Sequence, residues 1–464
     1  MDGTTAALPA AGGAPDDDAL ARAVLTCCLD GADAIMYATI KGASDGAREV
    51  LSLLAETGAG PADGGARGSS VSSESARTAL EERFVRGLVR WGRKPTPSTL
   101  SAFRGSLDGW RRRLSRLDTL DDSYLAGLLT EDGRQWIIAP GHPCWPEQLA
   151  DLSIRKDWAA PLCLWGLGDP GALVSCAKPV GVVGSRGANE YGRAIAREVG
   201  RRAAADGHLV VSGGAMGADA AAHWGALAPL DEGYGPDATG RTVAVFAGGL
   251  NHVGPHCNLP LFERITACGG ALISEMSPDT IPEARRFLLR NRIIAAMAST
   301  VVVVQARLRS GALNTANWAT ELGRDVYAAP GGIDAPHNAG CNRLIHDNQA
   351  ILLMSARGID EYCHPPHMPS PPRRQETADA SAASGVCGAD EDHAGTTGPE
   401  KSGLDAVRQA VRRCRRSRGV PSVEAVAAHM DGSPGLSDVI ALLGELELDG
   451  TVSVQGGIVS VTAR

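Results

Sequence analysis

Seven short, uninterrupted apolar runs punctuate residues 180–353. They are Val180-Gly181-Val182-Val183, His208-Leu209-Val210-Val211, Thr242-Val243-Ala244-Val245-Phe246, Ala271-Leu272-Ile273, Val301-Val302-Val303-Val304, Val326-Tyr327-Ala328 and Ala350-Ile351-Leu352-Leu353. None alternates strictly between apolar and polar, so each suits a strand buried on both faces, as in a parallel sheet. Ala-rich amphipathic stretches lie between them, near 191–206, 218–227, 259–268 and 313–323. This strand-helix alternation predicts an α/β domain built on a doubly wound parallel sheet with right-handed crossovers. Aromatic residues are only 4% of the chain, so its core must come mainly from Ala, Val, Leu and Ile.

The flanking regions have other rhythms. Residues 1–135 open on an Ala/Gly-rich tail and carry helical patterns over 18–56, 76–93 and 98–129, the last with Arg111, Arg112, Arg113 and Arg116. The polar stretch 58–75 reads as loop or disorder. Trp136-Ile137-Ile138-Ala139 reads as a short strand before a Pro-rich turn. Residues 363–402 are Pro-rich, then rich in Ala, Ser, Asp and Gly, the composition of a flexible linker. Residues 403–464 show helical patterns over 404–418, 422–431 and 437–449, then two apolar runs around Gln455-Gly456-Gly457. Helices followed by a Gly-turned hairpin outline a winged helix. The expected division is a helical region with a disordered tail over 1–135, an α/β domain over 136–362, a linker over 363–402 and a winged helix over 403–464.

Composition removes several classes of function. No apolar run approaches the roughly 18–20 residues needed to span a bilayer, so no membrane role is expected. The first residues lack a basic stretch followed by an apolar one, so no signal peptide is expected. The 11 cysteines include no CxxC pair, which argues against a zinc ribbon or a disulfide framework and for a reducing cytoplasm. His364-Pro365-Pro366-His367 has no Cys or acidic partner nearby, so no metal site is expected. The net charge of -8 opposes a wholly basic nucleic-acid coat, yet leaves room for one basic groove on an acidic body.

The chemistry-bearing segments sit where strands give way to helices. Gly181-Val182-Val183-Gly184-Ser185-Arg186-Gly187 offers backbone N–H groups, the Ser185 hydroxyl and the Arg186 fork to an anion. Its spacing is not G-x-G-x-x-G, and Val210-Val211 leads into Ser212 without an acidic ribose-binding residue, so dinucleotide binding is disfavoured. Ser212-Gly213-Gly214 opens a second turn of this kind. Asp219 and His223 follow it on one helical face, spaced for an acid/base pair or for hydrogen bonds that fix the loop. Arg285, Arg286, Phe287, Arg290, Asn291 and Arg292 crowd eight residues. Arginines interleaved with an aromatic suit a phosphodiester backbone with a stackable base. The competing reading is a salt-bridge network to Glu275 or Glu283, with Asn291 and Arg292 structural. Arg309, Ser310 and Gly311 form another anion nest before a helix. Several anion-friendly loops on one sheet edge exceed what a mononucleotide needs and suit a polymer of repeating phosphates. There is no P-loop motif and no G-x-S-x-G elbow.

In order along residues 136–353, these strings resemble the DNA-processing protein A family, also called Smf or DNA-protecting protein. The resemblance rests on Val183-Gly184-Ser185-Arg186, Val211-Ser212-Gly213-Gly214-Ala215-Met216-Gly217-Ala218-Asp219, Pro255-His256-Cys257-Asn258, Phe287-Leu288-Leu289-Arg290-Asn291-Arg292, Arg309-Ser310-Gly311-Ala312, Ala329-Pro330-Gly331 and Gly340-Cys341-Asn342-Arg343. It implies an extended Rossmann domain that binds single-stranded DNA, usually as a homodimer, and helps load a RecA-type recombinase in natural transformation. No catalysis and no cofactor are implied. The DNA-contacting motif carries over to Gly184, Ser185 and Arg186, and further to Ser212, Gly213, Gly214, Phe287, Arg290 and Asn291. Four positions depart: the family usually has Arg or Lys at Met216, Tyr at Gly254, Pro at Leu288 and Glu at Gln305.

Two other functions compete. A phosphoribohydrolase of the lysine-decarboxylase-like type carries PGG-x-GT-x-x-E, whereas Pro330-Gly331-Gly332 is followed here by Ile333-Asp334-Ala335. A nucleotide-sensing or protein-docking module is the third. Arg408, Arg412, Arg413, Arg415, Arg416 and Arg418 then offer either a second DNA patch or a solvated helix face.

Overall fold

A computed structural model describes residues 14–58, 68–154 and 158–358, and part of the chain between 407 and 461. Two compact units divide it, Met1–Thr377 and Ala378–Arg464.

In the first unit, the apolar pattern over 18–56 folds as three helices: α1 (Asp17–Cys27), α2 (Ala34–Gly42) and α3 (Gly46–Glu56). The break before α2 is local chemistry: Asp33 takes the N-cap and accepts from the Ile35 and Met36 amides. Next come α4 (Gly68–Arg90), α5 (Pro97–Leu114) and α6 (Asp122–Thr130), where Asp121 caps the last in the same way. The expected loop over 58–75 is corrected from Gly68 onward, where α4 has begun. Ser73 Oγ donates to the Thr57 carbonyl, which ties that end of α4 to the end of α3.

The sheet then forms from β1 (Trp136–Ile138), β2 (Leu164–Gly168), β3 (Val180–Gly184), β4 (Val210–Gly213), β5 (Thr242–Val245), β6 (Ala271–Ser274), β7 (Thr300–Gln305), β8 (Asp325–Ala328) and β9 (Ile351–Leu352). All seven apolar runs become strands, β3 to β9, and the nine strands lie in the order β1-β2-β6-β5-β4-β3-β7-β8-β9. From β6 to β9 the neighbours are parallel, while β1 and β2 extend the sheet antiparallel. The connecting helices are α7 (Glu190–Ala205), α8 (Ala218–Asp231), α9 (Leu259–Ala267), α10 (Ala284–Met297), α11 (Gly311–Glu321) and α12 (Ala339–His346).

Both sheet faces are covered. Ala196, Val199 and Ala203 of α7 pack with Ala222 of α8 on Val180, Val182 and Val302. Ile293 and Ala296 of α10 and Ala316 of α11 pack on Val211, Val301 and Val303. A third core joins the N-terminal helices to the sheet, with Leu25, Met36, Phe103 and Trp110 in one cluster with Trp165, Phe246, Phe262 and Leu272. From β3 the chain moves outward through β4, β5 and β6, then returns to the other side of β3 as β7. That reversal is a topological switch point. In open α/β sheets, the crevice beyond the strand ends at such a point is where ligands bind. No helix among the described residues is long and apolar enough to cross a membrane.

In the second unit the structure describes α13 (Val423–Ala428) and an antiparallel hairpin of β10 (Val452–Gln455) and β11 (Ile458–Val461), with Val452 opposite Val461. Val407, Val411, Val426, Val439, Leu443, Val452 and Val459 form its core. The expected linker and the arginines at 408–418 lie outside the described residues.

Candidate nucleic-acid interface

A cavity of about 670 Å³ opens at the β3/β7 switch point. Gly184, Ser185 and Arg186 come to it from the end of β3, and Arg307, Arg309, Ser310 and Gly311 from the turn between β7 and α11. Phe287, Leu288, Arg290 and Asn291 of α10 form its remaining wall, with Asp219 and Ala215 below. A smaller cavity of about 280 Å³ adjoins it and shares Arg186, Ala215, Phe287 and Arg290. Gly214, Met216, Phe246, Gly254 and Pro255 line the smaller one, which is mostly apolar. Four loops distant in sequence thus meet along one rim.

Arg186 is exposed and its guanidinium lies 4.4 Å from the Phe287 ring centroid. This cation–π contact holds a planar fork and an aromatic face together at the mouth. Ser310 caps α11 by accepting from the Ala312 amide, which leaves its O–H able to donate toward the cavity. Arg307 hydrogen-bonds His337. Arg290 differs from these. It is only 6% exposed, no hydrogen bond or ion pair reaches it among the described residues, and its Nε is a buried donor without a partner. Burial lowers its pKa below the usual guanidinium range, an effect that Asp219 opposes and Arg186 reinforces.

Glycine makes room for that side chain. A Cβ on Gly213 would fall 1.7 Å from Arg290 Nη1. Gly213→Ala must therefore displace the guanidinium. Affinity for a single strand is expected to fall about tenfold, with the salt slope lowered by about one, in anisotropy titrations at several salt concentrations. An unchanged affinity would show that Arg290 does not reach the ligand.

Some expected residues stand elsewhere. Ser212 is fully buried and its hydroxyl donates to the Val182 carbonyl at 2.6 Å, so it braces β4 against β3 and lines neither cavity. Arg285 and Arg286 also line neither. Arg285 pairs with Asp30 and Glu283, and Arg286 with the same two carboxylates. Asn291 lines the larger cavity but also donates to the Gly311 carbonyl. No hydrogen bond joins Asp219 to His223 among the described residues. Burial pushes Asp219 up to about 6, whereas Arg290 and Arg186 act to lower it. Burial pushes His223 down to about 4, and its ring nitrogens reach Thr242 Oγ1 and the Gly213 carbonyl, which fixes the glycine turn. Arg307 escaped the sequence reading of individual residues, although a cation directly beyond a strand's carboxyl end was the available signal.

A family model described as DNA recombination-mediator protein A matches residues 136–364. A DprA protein of Mycobacterium tuberculosis is 40% identical over 261 residues, which span 55% of this chain and 62% of that protein. DNA processing protein DprA of Bacillus subtilis is 34% identical over 225 residues, 48% of this chain and 69% of that protein. This chain belongs to the DNA recombination-mediator protein A family. The crystal structure of DNA processing protein A from Streptococcus pneumoniae superposes with a TM-score of 0.47 and 28% identity, covering 59% of this chain and 89% of that one.

Against the usual DprA pattern, two departures sit at the mouth. Met216 and Leu288 are about half exposed there, at 49% and 51%. Gly254 leaves the smaller cavity open on the side where the family usually has Tyr. Gln305 is buried, where its amide accepts from the Asn189 backbone N–H and donates to Asn189 Oδ1 and Asn338 Oδ1. A carboxylate there would have no proton for either amide oxygen, so Gln305 and these two asparagines form a matched neutral set.

Proposed function

We propose that this chain is a single-stranded DNA-binding recombination mediator whose cleft at the β3/β7 switch point grips the sugar-phosphate backbone. Arg290 carries the reading. A buried guanidinium with no partner of its own calls for an anion, and it faces a cleft that already presents Arg186, Arg307, Arg309 and the start of α11. The adjoining apolar cavity beside Phe287 suits a base that has left its stack, which a single strand supplies at little cost. The resemblance extends this to protecting incoming or processed DNA and to helping load a RecA-type recombinase, as a homodimer in the cytoplasm and without catalysis. The hairpin and core of the second unit support its reading as a winged helix.

Purified protein should shift oligothymidine at low salt, with affinity that falls steeply with salt and depends little on sequence. Arg186→Ala should weaken binding uniformly across sequences and reduce the salt slope by about one. No shift at low salt refutes the reading. An unchanged slope in the variant removes Arg186 from the phosphate contacts.

A further inference from the structure

The first turns of α10 pose a problem that the cleft does not solve. Arg285 and Arg286 stand in the first turn, where the helix dipole is positive, and no acidic residue lies there to offset them. Their counter-charges come from outside. Asp30, in the loop between α1 and α2, accepts from Arg285 at 2.8 Å and from Arg286 at 3.1 Å. Glu283 accepts from Arg285 Nε, and Arg286 Nη1 donates to the Ile281 carbonyl.

The same loop presses on the next turn. Gly31 has φ +136°, and a Cβ there would lie 2.7 Å from Leu289 Cδ2. At 100° per residue, positions 285, 286 and 289 share one side of α10, while 287 and 291 lie opposite. One side is thus held by the N-terminal helices, and the other presents Phe287 and Asn291 to the cleft. Arg186 in turn stacks on Phe287.

We infer that Asp30 is a positioning residue for the cleft: through Arg285 and Arg286 it braces the start of α10 and so holds Phe287 against Arg186. The N-terminal helical region then contributes to DNA affinity without lining either cavity. The inference rests on the single-strand reading for its consequence, but the brace itself is a property of the free protein.

Two measurements separate these. In the free full-length chain, Asp30→Ala should speed amide hydrogen exchange over residues 284–290, while α11 and the sheet keep wild-type rates. Exchange that is unchanged overturns the brace, whatever the DNA result. In oligothymidine titrations, Asp30→Ala should lower affinity about fivefold with the salt slope unchanged, since no phosphate contact is removed. The loss should vanish in a Phe287→Ala background, because Asp30 acts through that ring. A merely structural Asp30 would give the same loss in both backgrounds, and that result overturns the role. A rise in affinity with a steeper slope also overturns it, because Asp30 would then be withholding two arginines from DNA. If wild-type protein does not bind while exchange over 284–290 still accelerates, the brace stands and the DNA reading fails.

Discussion

Replacing Arg290 with Met should cost at least about 100-fold in affinity for a single strand and, in the same protein, raise the thermal midpoint by roughly 2–4 °C. The two effects have one cause. Only 6% of Arg290 is exposed, its Nε is buried without a partner, and the neighbouring carboxylate, Asp219, makes no ion pair with it within 4.0 Å among the described residues. A buried cation without a hydrogen-bonded partner is destabilising, and an unbranched apolar side chain of similar reach removes that penalty. The same desolvation favours the ligand. A phosphate entering the cleft meets donors that need shed little water, so its charge-assisted bonds form at nearly full strength. Gly213 is part of the device, since any side chain there would occupy the guanidinium's position. Titration by anisotropy and a thermal scan of the same variant check the pair of signs. A variant that is less stable and binds normally would make Arg290 a structural residue.

The legible part of this fold was the part set by local pattern. Continuous apolar runs between Ala-rich helices announced the parallel sheet, and the turns that end those runs announced the loops of the cleft. What escaped depended on partners far away in sequence. Strand β2, Leu164–Gly168, carries two glycines and reads poorly as a strand. It forms because the Trp136 ring lies over Gly166, where a Cβ would come within 2.0 Å of it. The run at 285–292 looked like one cluster of cations. Folding sorts it three ways: Arg285 and Arg286 turn to Asp30, Arg290 faces the cleft, and Arg292 enters the core. Helical period could separate those faces, but only the tertiary structure shows that a carboxylate 255 residues away awaits one of them. The breaks at Asp33 and Asp121 were within reach, because an aspartate ahead of an apolar run is an N-cap signal.

Glu275→Ala should have the opposite character to the Arg290 variant. Arg292 lies two residues beyond Arg290 on the same helix and is fully buried, and it pairs with Glu275, itself 6% exposed at the end of β6. Burial pushes the Glu275 carboxyl up, and Arg292 opposes that shift. Neither residue lines the cleft. Truncating Glu275 leaves Arg292 as a buried cation with no anion and no route to a ligand, a loss of about 3–5 kcal/mol. The thermal midpoint should fall on the order of 5–10 °C, while the folded fraction binds oligothymidine with wild-type affinity and salt slope. Removing both charges, as Glu275→Met with Arg292→Met, should recover most of that loss, because the penalty lies in the unpaired charge and not in the missing attraction. A single variant as stable as wild type would mean that water reaches Arg292 and replaces the carboxylate. Two arginines on one helix thus differ in their counter-charge: for Arg292 the chain supplies it, and Arg290 has none within ion-pair distance among the described residues.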